Sequence, residues 1–331
     1  MVSAVIVHPS SFQNNKMKVY IQSAASISPY QHHEMQASAG INSQENRLRC
    51  IEPDYKALID PKLLRRMSRI IRMGTAAALQ SLSEANIEIP DAIITGTAYG
   101  CLEDTGTFLG KMIEQNEELL TPTAFIQSTH NTVAAQIALL LGAHGYNNTF
   151  VHRGISFESA LMDAIMLLND GDAATVLVGG LDELTDKSFE VLNRFSLFEK
   201  TPAGEGASFF ALTNSKDQRS IASIESLATY YKPSVESLKQ LIQNFLHQNN
   251  LTTEDVDVLY NGGPTSDPYY CVTQHMFEER VTNFKAHCGE YPTATAFAMW
   301  FACHNNEAKQ RILIYNHFHG IHHSLILLTK C

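Results

Sequence analysis

The stretch 145–182 constrains the fold more than any other part of the chain. It contains a short β-branched and aromatic run at residues 149–152, then Gly154, then apolar residues at helical spacing. Gly171 ends the helical pattern, and the apolar run at residues 174–178 is typical of a fully buried strand. The stretch therefore predicts a β-α-β unit whose first strand enters the helix through a sharp turn, which glycine permits because it has no Cβ. Several enzyme families use such a turn to present a nucleophile.

Strands and helices also alternate along the rest of the chain, which indicates α/β layers in which helices cover a sheet. The length of 331 residues is sufficient for a sizeable core. We predict an N-terminal extension at residues 1–16, a first half at residues 17–213 and a second half at residues 214–331.

The composition argues against several classes of protein. A net charge of −10 does not favour a general nucleic-acid-binding surface. No apolar run is long enough to span a membrane, and residues 1–16 lack the basic start and long apolar centre of a signal peptide. The six cysteines form no CxxC pair, which is typical of reduced thiols in a cytoplasmic protein.

Three motifs resemble β-ketoacyl-acyl-carrier-protein synthases of the thiolase-fold superfamily. The order GYN-x-T, S-x-x-x-A, D-A-I and V-L-V-G-G-x-D-E fills residues 145–183, and a GEGA turn follows at residues 204–207. Residues 316–324 lie where that family has a Gly- and Phe-rich loop, of which Phe318 and Gly320 match. The resemblance covers residues 18–330 and implies a thiolase-like α/β fold of two related halves, with mixed sheets layered with helices, and a dimer.

The compact length and the run Thr121–Phe125, followed by His130, resemble a divergent branch of that family. Proteins of this branch accompany aryl-polyene and flexirubin-type pigment pathways. The histidine cluster 317–323 could in principle bind a metal, but the same stretch fits the family loop, so we predict no metal and no other cofactor.

The resemblance implies a cysteine, two histidines and a lysine at four positions, and three of these residues are different here. The cysteine position is Gly154, the histidine positions are Asn261 and Glu290, and Lys285 is retained. Glycine carries no nucleophile, asparagine does not transfer a proton near neutral pH, and a glutamate anion opposes formation of an enolate. We therefore predict that the chain alone does not catalyse Claisen condensation.

This pattern resembles that of chain-length factors, which lack the cysteine and pair with a catalytic synthase. The leading hypothesis is a non-catalytic subunit of fatty-acid or polyene assembly that shapes the acyl pocket. Its expected partners are an acyl carrier protein and either a catalytic β-ketoacyl synthase or a second copy. One alternative is an acyltransferase or condensing enzyme with a relocated nucleophile, either Ser156 beside His152 or Cys288, with Cys101 as a further thiol. Another is a homodimeric binding protein for acyl or polyene chains.

Two further sets of residues are candidates for binding. A predicted helix from Asp60 to Asn86 places five basic side chains on one face, either to dock an acidic carrier protein or as a solvated face or intersubunit ion pairs. These residues are Lys62, Arg65, Arg66, Arg69 and Arg72. Phe125, Phe318 and Gly320 are candidates for lining an acyl tunnel, and core packing is the alternative for the two phenylalanines. The apolar helix His130–Leu141 is expected in the core or at a dimer interface.

Overall fold

The computed structural model describes residues 18–30, 46–118, 120, 122–304 and 310–331, so the predicted extension at residues 1–16 lies outside the described residues. The first half contributes five strands: β1 (Val19–Ile27), β2 (Ala92–Gly96), β3 (Tyr146–Phe150), β4 (Thr175–Asp182) and β5 (Gly206–Thr213). The second half contributes five more: β6 (Ala222–Tyr231), β7 (Val258–Asn261), β8 (Val281–Asn283), β9 (Arg311–Phe318) and β10 (His322–Lys330).

Eleven helices connect these strands within the described part of the chain. Those of the first half are α1 (Pro61–Leu64), α2 (Arg69–Ala85), α3 (Leu102–Glu114), α4 (Pro122–Gln127), α5 (Thr132–Leu141), α6 (Ser156–Asp170) and α7 (Asp186–Asn193). Those of the second half are α8 (Val235–Gln248), α9 (Pro268–Phe277), α10 (Lys285–Cys288) and α11 (Ala294–His304).

The strand order reveals an internal duplication. The ten strands pair in the order β3-β2-β4-β5-β1-β6-β10-β9-β7-β8, so each half has the same order, read outwards from the β1–β6 junction. β2 is parallel to β3 and β4, and β7 is likewise parallel to β8 and β9. β5 and β10 close each half with antiparallel pairing. The two related halves, expected from the family resemblance alone, are thus confirmed, and the boundary at residues 213/214 falls in the connection between β5 and β6.

Helices cover both faces of the strands and separate the core into layers. α2 and α5 pack on the outer face of the first half, and α8 and α9 pack on the outer face of the second half. α6 and α11 lie between the halves, in a cluster that includes buried residues of strands from both. α11 is buried along almost its whole length, as an apolar helix enclosed by two layers should be.

The predicted helix from Asp60 to Asn86 is wrong in one respect, because it is interrupted. Asp60 caps α1 by accepting from the Lys62 amide, as predicted, but α1 ends at Leu64. The next residues form tight turns, with the Arg66 amide bonded to the Leu63 carbonyl, before α2 begins at Arg69. The basic side chains therefore do not share one helical face.

Candidate functional site

The sharp turn between β3 and α6 has the geometry that the sequence predicts. Arg153 has a left-handed backbone conformation, with φ of 55°, and Gly154 beside it is buried. The Ser156 hydroxyl accepts from the His152 amide at 2.9 Å and donates to the Arg153 carbonyl at 2.8 Å. These bonds hold the turn closed, so the hydroxyl of Ser156 has a structural role at the beginning of α6.

Phe318 occupies the space beside Gly154 into which a nucleophilic side chain would project. A Cβ atom added to Gly154 would lie 2.4 Å from the Phe318 Cβ and 2.8 Å from its Cγ. Contacts this short cannot be accommodated by rotating the ring, because the Cβ of Phe318 is fixed by the backbone of β9. The turn is therefore built for glycine, and the aromatic side chain fills the position of the missing group.

Asn261 lies at the end of β7, and both ends of its side-chain amide make hydrogen bonds that fix the loop after the strand. Its side-chain oxygen accepts from the Gly263 amide at 2.7 Å, and its side-chain nitrogen donates to the Thr273 hydroxyl of α9. The residue is fully buried. An amide with both ends bonded in this way fixes the loop after β7 and leaves no group free for proton transfer.

Lys285 and Glu290 form a buried ion pair. The Lys285 ammonium lies 2.9 Å from both carboxylate oxygens of Glu290 and donates at 2.8 Å to the His317 carbonyl of β9. Lys285 is fully buried and Glu290 nearly so. Burial raises the pKa of Glu290, and the Lys285 ammonium opposes that shift. Lys285 therefore neutralises Glu290, the residue predicted to occupy the second histidine position.

Sequence reasoning missed two buried carboxyl groups that join the halves. Asp182 ends β4 and accepts from Thr97, from the Ala98 and Tyr99 amides and from Thr293 of the second half. Its burial raises the pKa to about 6 despite those hydrogen bonds. An acidic residue that directly follows a buried strand is the sequence signal that marks this position.

The second of these groups is Glu158, in the first turn of α6. One of its oxygens accepts from the Thr295 and Ser324 hydroxyls, each at 2.7 Å. Both hydroxyls belong to the second half, so the bonds tie α6 to α11 and β10. Burial raises the pKa of Glu158, and the two hydroxyl donors oppose that shift. A glutamate on the predicted helix gave no sign of this burial in the sequence.

A polar cavity of about 360 Å³ lies on the other side of Glu290. Its wall is formed by the β9–β10 hairpin, the loop after β7 and the segment before the GEGA turn. The side chains that matter for its chemistry are Thr201, Asp267, Tyr269, Glu290, His317 and His319. Gly320 also lines it, in a left-handed conformation with φ of 64°. Of the predicted substrate-binding residues, only Gly320 lines this cavity.

Phe125 lies elsewhere, on the surface. It is 57% exposed and contacts Phe108 of α3 at 5.5 Å between ring centroids. Within one copy of the chain it therefore neither packs in the core nor reaches Gly154. Leu139 of the predicted core or interface helix is 76% exposed, although Val133, Ala134 and Ile137 of that helix are buried.

The alternative nucleophiles lie in unreactive environments. Ser156 and Cys288 are both fully buried. The Cys288 thiol contacts the Gly289 carbonyl, and burial raises its pKa well above the usual range, as burial also does for Cys101. A thiol with a raised pKa is a poor nucleophile at neutral pH. His152 is exposed. Its ring atom Nδ1 lies 2.9 Å from the Ser159 hydroxyl, so the ring is paired with Ser159 and not with Ser156.

The predicted basic stripe divides into two groups. Lys62, Arg65 and Arg66 are exposed in α1 and the turn after it. Arg69 instead donates to both carboxylate oxygens of the buried Glu205, at 2.6 and 2.7 Å, and also to Glu52. Arg69 thus has a structural role, and we remove it from the candidate docking residues. Arg72 is half-buried and lines a groove with Arg65 and Lys56.

Among the described residues, no group of three or more histidine, cysteine, aspartate or glutamate side chains is arranged to hold a metal ion. The described helices include none with the length and apolar character needed to cross a membrane.

The duplicated sheet and the sharp turn at the head of a buried helix define a protein of the thiolase-like class. Solved structures agree. The ishigamide ketosynthase/chain length factor matches with a TM-score of 0.78 at 15% identity, covering 95% of this chain and 99% of that one. A beta-ketoacyl synthase from Burkholderia phymatum STM815 matches with a TM-score of 0.73 at 15% identity, covering 95% and 100% of the respective chains.

A third structure is the AntDE:AntF complex, a type II PKS acyl-carrier protein in complex with its ketosynthase bound to the hexaketide. It matches with a TM-score of 0.75 at 14% identity, covering 95% of this chain and 100% of the matched chain. The 3-oxoacyl-[acyl-carrier-protein] synthase 2 of Synechocystis sp. is 26% identical over 138 residues, or 39% of this chain and 32% of that protein.

Residues 38–254 match the family model described as beta-ketoacyl synthase, N-terminal domain. That match covers more than half of the sequence, so this chain belongs to the beta-ketoacyl synthase family.

Proposed function

We propose that this chain is a non-catalytic subunit of a β-ketoacyl synthase, active in polyketide or fatty-acid assembly only together with a catalytic partner. The observation that carries the proposal is the contact of Phe318 with Gly154, which fills the position of the nucleophile. Asn261 and the Lys285–Glu290 pair support it, because both sets of groups are already bonded within the fold. We extend the proposal to pigment pathways of the aryl-polyene type, following the family resemblance, and to the cytoplasm, following the pattern of cysteines.

Exposed apolar side chains on neighbouring elements support the pairing with a partner. α3 has no buried residue, and its Ile113 is 78% exposed. Contacts between successive elements show that α3, α4, α5 and β3 are neighbours. Phe108 of α3 contacts Phe125 of α4, and the Thr132 hydroxyl of α5 donates to the Ile126 carbonyl of α4. The Asn147 side chain of β3 donates to the Ala134 carbonyl of α5. β3 is an edge strand of the sheet, and such an edge offers unpaired backbone groups to another chain. We define the partner surface as α3, α4, the exposed side of α5 and β3.

The exposed cations Lys62, Arg65 and Arg66 supply the docking surface for an acyl carrier protein in this proposal. An acidic carrier protein is attracted to a basic patch even when the whole chain is acidic, because physiological salt screens the charges that lie farther away.

The test is a condensation assay with defined components. The pure protein is incubated with malonyl- and acyl-carrier protein, alone and with a catalytic β-ketoacyl synthase, and products are identified by mass spectrometry. We expect β-ketoacyl product only when the partner is present, and none when the partner's nucleophilic cysteine is changed to alanine. Condensation by the protein alone would refute the proposal.

A further inference from the structure

The cavity beside Glu290 contains a buried hydrogen-bonding group without a partner. His317 is 4% exposed, and its Nε2 atom makes no hydrogen bond within the described part of the protein. Its Nδ1 atom accepts from the Gly320 amide at 3.2 Å. A buried polar atom that lines a cavity and lacks a partner indicates a position for a ligand atom, because leaving it unpaired is unfavourable.

The protonation state of His317 follows from the same contacts. Burial lowers its pKa well below the usual range, and the Lys285 ammonium acts in the same direction, so the ring is neutral. Because Nδ1 accepts a hydrogen bond, the single ring proton must be on Nε2. His317 therefore presents an N–H donor to the cavity.

An acceptor lies opposite this donor. The Asp267 Oδ1 atom is 3.7 Å from His317 Nε2, too far for a direct hydrogen bond but suitable for one bridging oxygen. Asp267 is fixed in place because its Oδ1 also caps α9 by accepting from the Tyr269 amide at 2.8 Å. A hydroxyl group that lies in the cavity beside this gap, off the line joining the two atoms, can bridge them, since it accepts from the imidazole and donates to the carboxylate.

The charges around the cavity exclude an anion as the preferred ligand. Lys285 neutralises Glu290. Among the described residues of the remaining wall, Asp267 and Glu199 then outnumber the one cation, Lys200. Tyr269 adds an aromatic ring that packs near His317, at 5.3 Å between ring centroids. Carboxylate acceptors, a neutral donor and an aromatic wall together suit a neutral molecule with several hydroxyl groups.

We propose that this cavity is a binding site for a small neutral hydroxylated compound, with one hydroxyl group held between His317 and Asp267. The cavity volume of about 360 Å³ lies at the small end of the range for ligand sites. This site goes beyond the proposed subunit function, because it requires neither a catalytic partner nor a carrier protein.

The experiment measures binding to the purified full chain alone. Protein labelled with ¹⁵N-histidine is titrated with glycerol, glucose, malonate and putrescine at constant ionic strength, and the imidazole nitrogen signals are followed by NMR. The His317 signals are assigned with the His317→Phe variant, and exposed His247 of α8 serves as the internal reference. We expect glycerol or glucose to shift the His317 Nε2 signal saturably, and malonate and putrescine each to bind more weakly; tighter binding of putrescine would assign the cavity to a cation and overturn the proposal.

Two variants test the assignment. His317→Phe keeps a ring but removes the donor, and Asp267→Asn keeps an oxygen for the cap of α9 but removes the charge. Each should weaken polyol binding by roughly 5- to 10-fold, because His317→Phe removes one hydrogen bond and Asp267→Asn replaces a charge-assisted hydrogen bond with a weaker neutral one. His322→Phe, a matched change in the same hairpin but outside the cavity wall, should leave binding unchanged.

Three further results would overturn the proposal: no saturable shift with either polyol, tighter binding of malonate, or unchanged polyol affinity in Asp267→Asn. The last variant keeps the test valid if His317→Phe does not fold. Because no condensation is measured, failure here is separable from failure of the subunit hypothesis.

Discussion

Gly154 and Phe318 show how one residue can determine the chemistry available at a whole site. The glycine backbone and the phenylalanine Cβ occupy mutually dependent positions, since a Cβ on one residue would overlap the other. Position 154 is therefore not an empty space in which a single substitution could place a nucleophile. Packing around the turn has adapted to the absence of a side chain.

We predict that Gly154→Ala destabilises the fold by about 1–3 kcal/mol, the usual effect of overpacking. Denaturant unfolding of Gly154→Ala, Phe318→Gly and the double variant measures the coupling. The double variant should be more stable than the sum of the single effects allows, because Phe318→Gly removes the Cβ and the ring that the added methyl group would meet. Gly110→Ala is the control, since nothing lies near its added Cβ in α3, and additive effects at positions 154 and 318 would contradict the prediction.

The Lys285–Glu290 pair gives a second prediction for single residues. Lys285→Met leaves a buried carboxylate without its cation and should destabilise the protein by about 3–5 kcal/mol. Adding Glu290→Gln should recover a large part of this loss, because no uncompensated charge then remains. Thermal and denaturant unfolding measure both, with the exposed Lys239→Met as control. If the double variant is as unstable as Lys285→Met, the ion pair is not the reason for the loss.

The residue identities at the site could be predicted from sequence, but their environments could not. Motif order placed Gly154 at a sharp turn, where the structure also has it, and the assignment of Asn261, Glu290 and Lys285 to family positions stays a prediction. The sequence could not reveal that Phe318 fills the turn, because that contact joins residues far apart in the chain. The sequence also could not show that Arg69 has a different role from its basic neighbours, because its ion-pair partner Glu205 is brought to it only by the fold. The histidines near the C-terminus suggested a metal site or a family loop, and the unpaired Nε2 atoms of His317 and His323 became visible only in three dimensions.

At the scale of elements, Asp182 links the end of β4 to the Thr97–Tyr99 loop of the first half and to Thr293 of the second half. Its raised pKa makes the stability of the protein depend on pH. Its folded-state pKa of about 6 lies above the ordinary 3.8, so the folded protein binds the proton more tightly than the unfolded chain. This contribution to stability is present at low pH and is lost as pH rises from about 4 to about 6, and it amounts to roughly 3 kcal/mol.

We therefore expect Asp182→Asn to remove this slope. Asparagine keeps an oxygen for the Thr97–Tyr99 loop but has no charge to bury. Relative to the unmodified protein, the variant should gain about 3 kcal/mol between pH 4 and pH 7, measured as the free energy of unfolding at each pH. The exposed Asp170→Asn at the end of α6 controls for charge alone. Parallel curves for Asp182→Asn and the unmodified protein would disprove the assignment.

The interrupted basic segment gives a further prediction at this scale. Charge reversal at Lys62, Arg65 and Arg66 should weaken carrier-protein binding and reduce its salt dependence, with little effect on stability, because all three side chains are exposed. Surface plasmon resonance at two salt concentrations measures this effect. Lys239→Glu on α8 is the matched exposed control. Equal losses in the control and in the three variants would indicate a general charge effect rather than a docking surface.

For the whole molecule, the duplicated topology supports our proposal that this chain keeps the family fold without the family's chemistry. The five strands of each half are neighbours in the sheet. The two halves are joined by the pairing of β1 with β6 and by the buried helices α6 and α11. None of these contacts requires the catalytic groups. The periodicity of the strands predicted the layers correctly, whereas the β1–β6 junction depends on pairing between distant segments, which local patterns do not specify.

The same topology leaves β3 at one edge, beside apolar helices that a single copy does not cover, and this arrangement yields the last prediction. Leu139→Lys and Ile113→Lys each place a charge on the partner surface, where both side chains are more than 70% exposed. Each variant should remain folded as a single chain, yet pairing with a catalytic synthase should weaken at least tenfold, since association would bury an unpaired charge.

Co-purification and analytical ultracentrifugation of co-expressed chains measure the pairing, and circular dichroism checks the fold. Tyr231→Lys is the control, because Tyr231 is also exposed but belongs to β6, in the middle of the sheet order and away from the β3 edge. Loss of self-association instead of heteromeric pairing in the two variants would assign the same surface to a homodimer. Unchanged association in both would show that the partner binds elsewhere, and the apolar faces of α3 and α5 would then need another explanation.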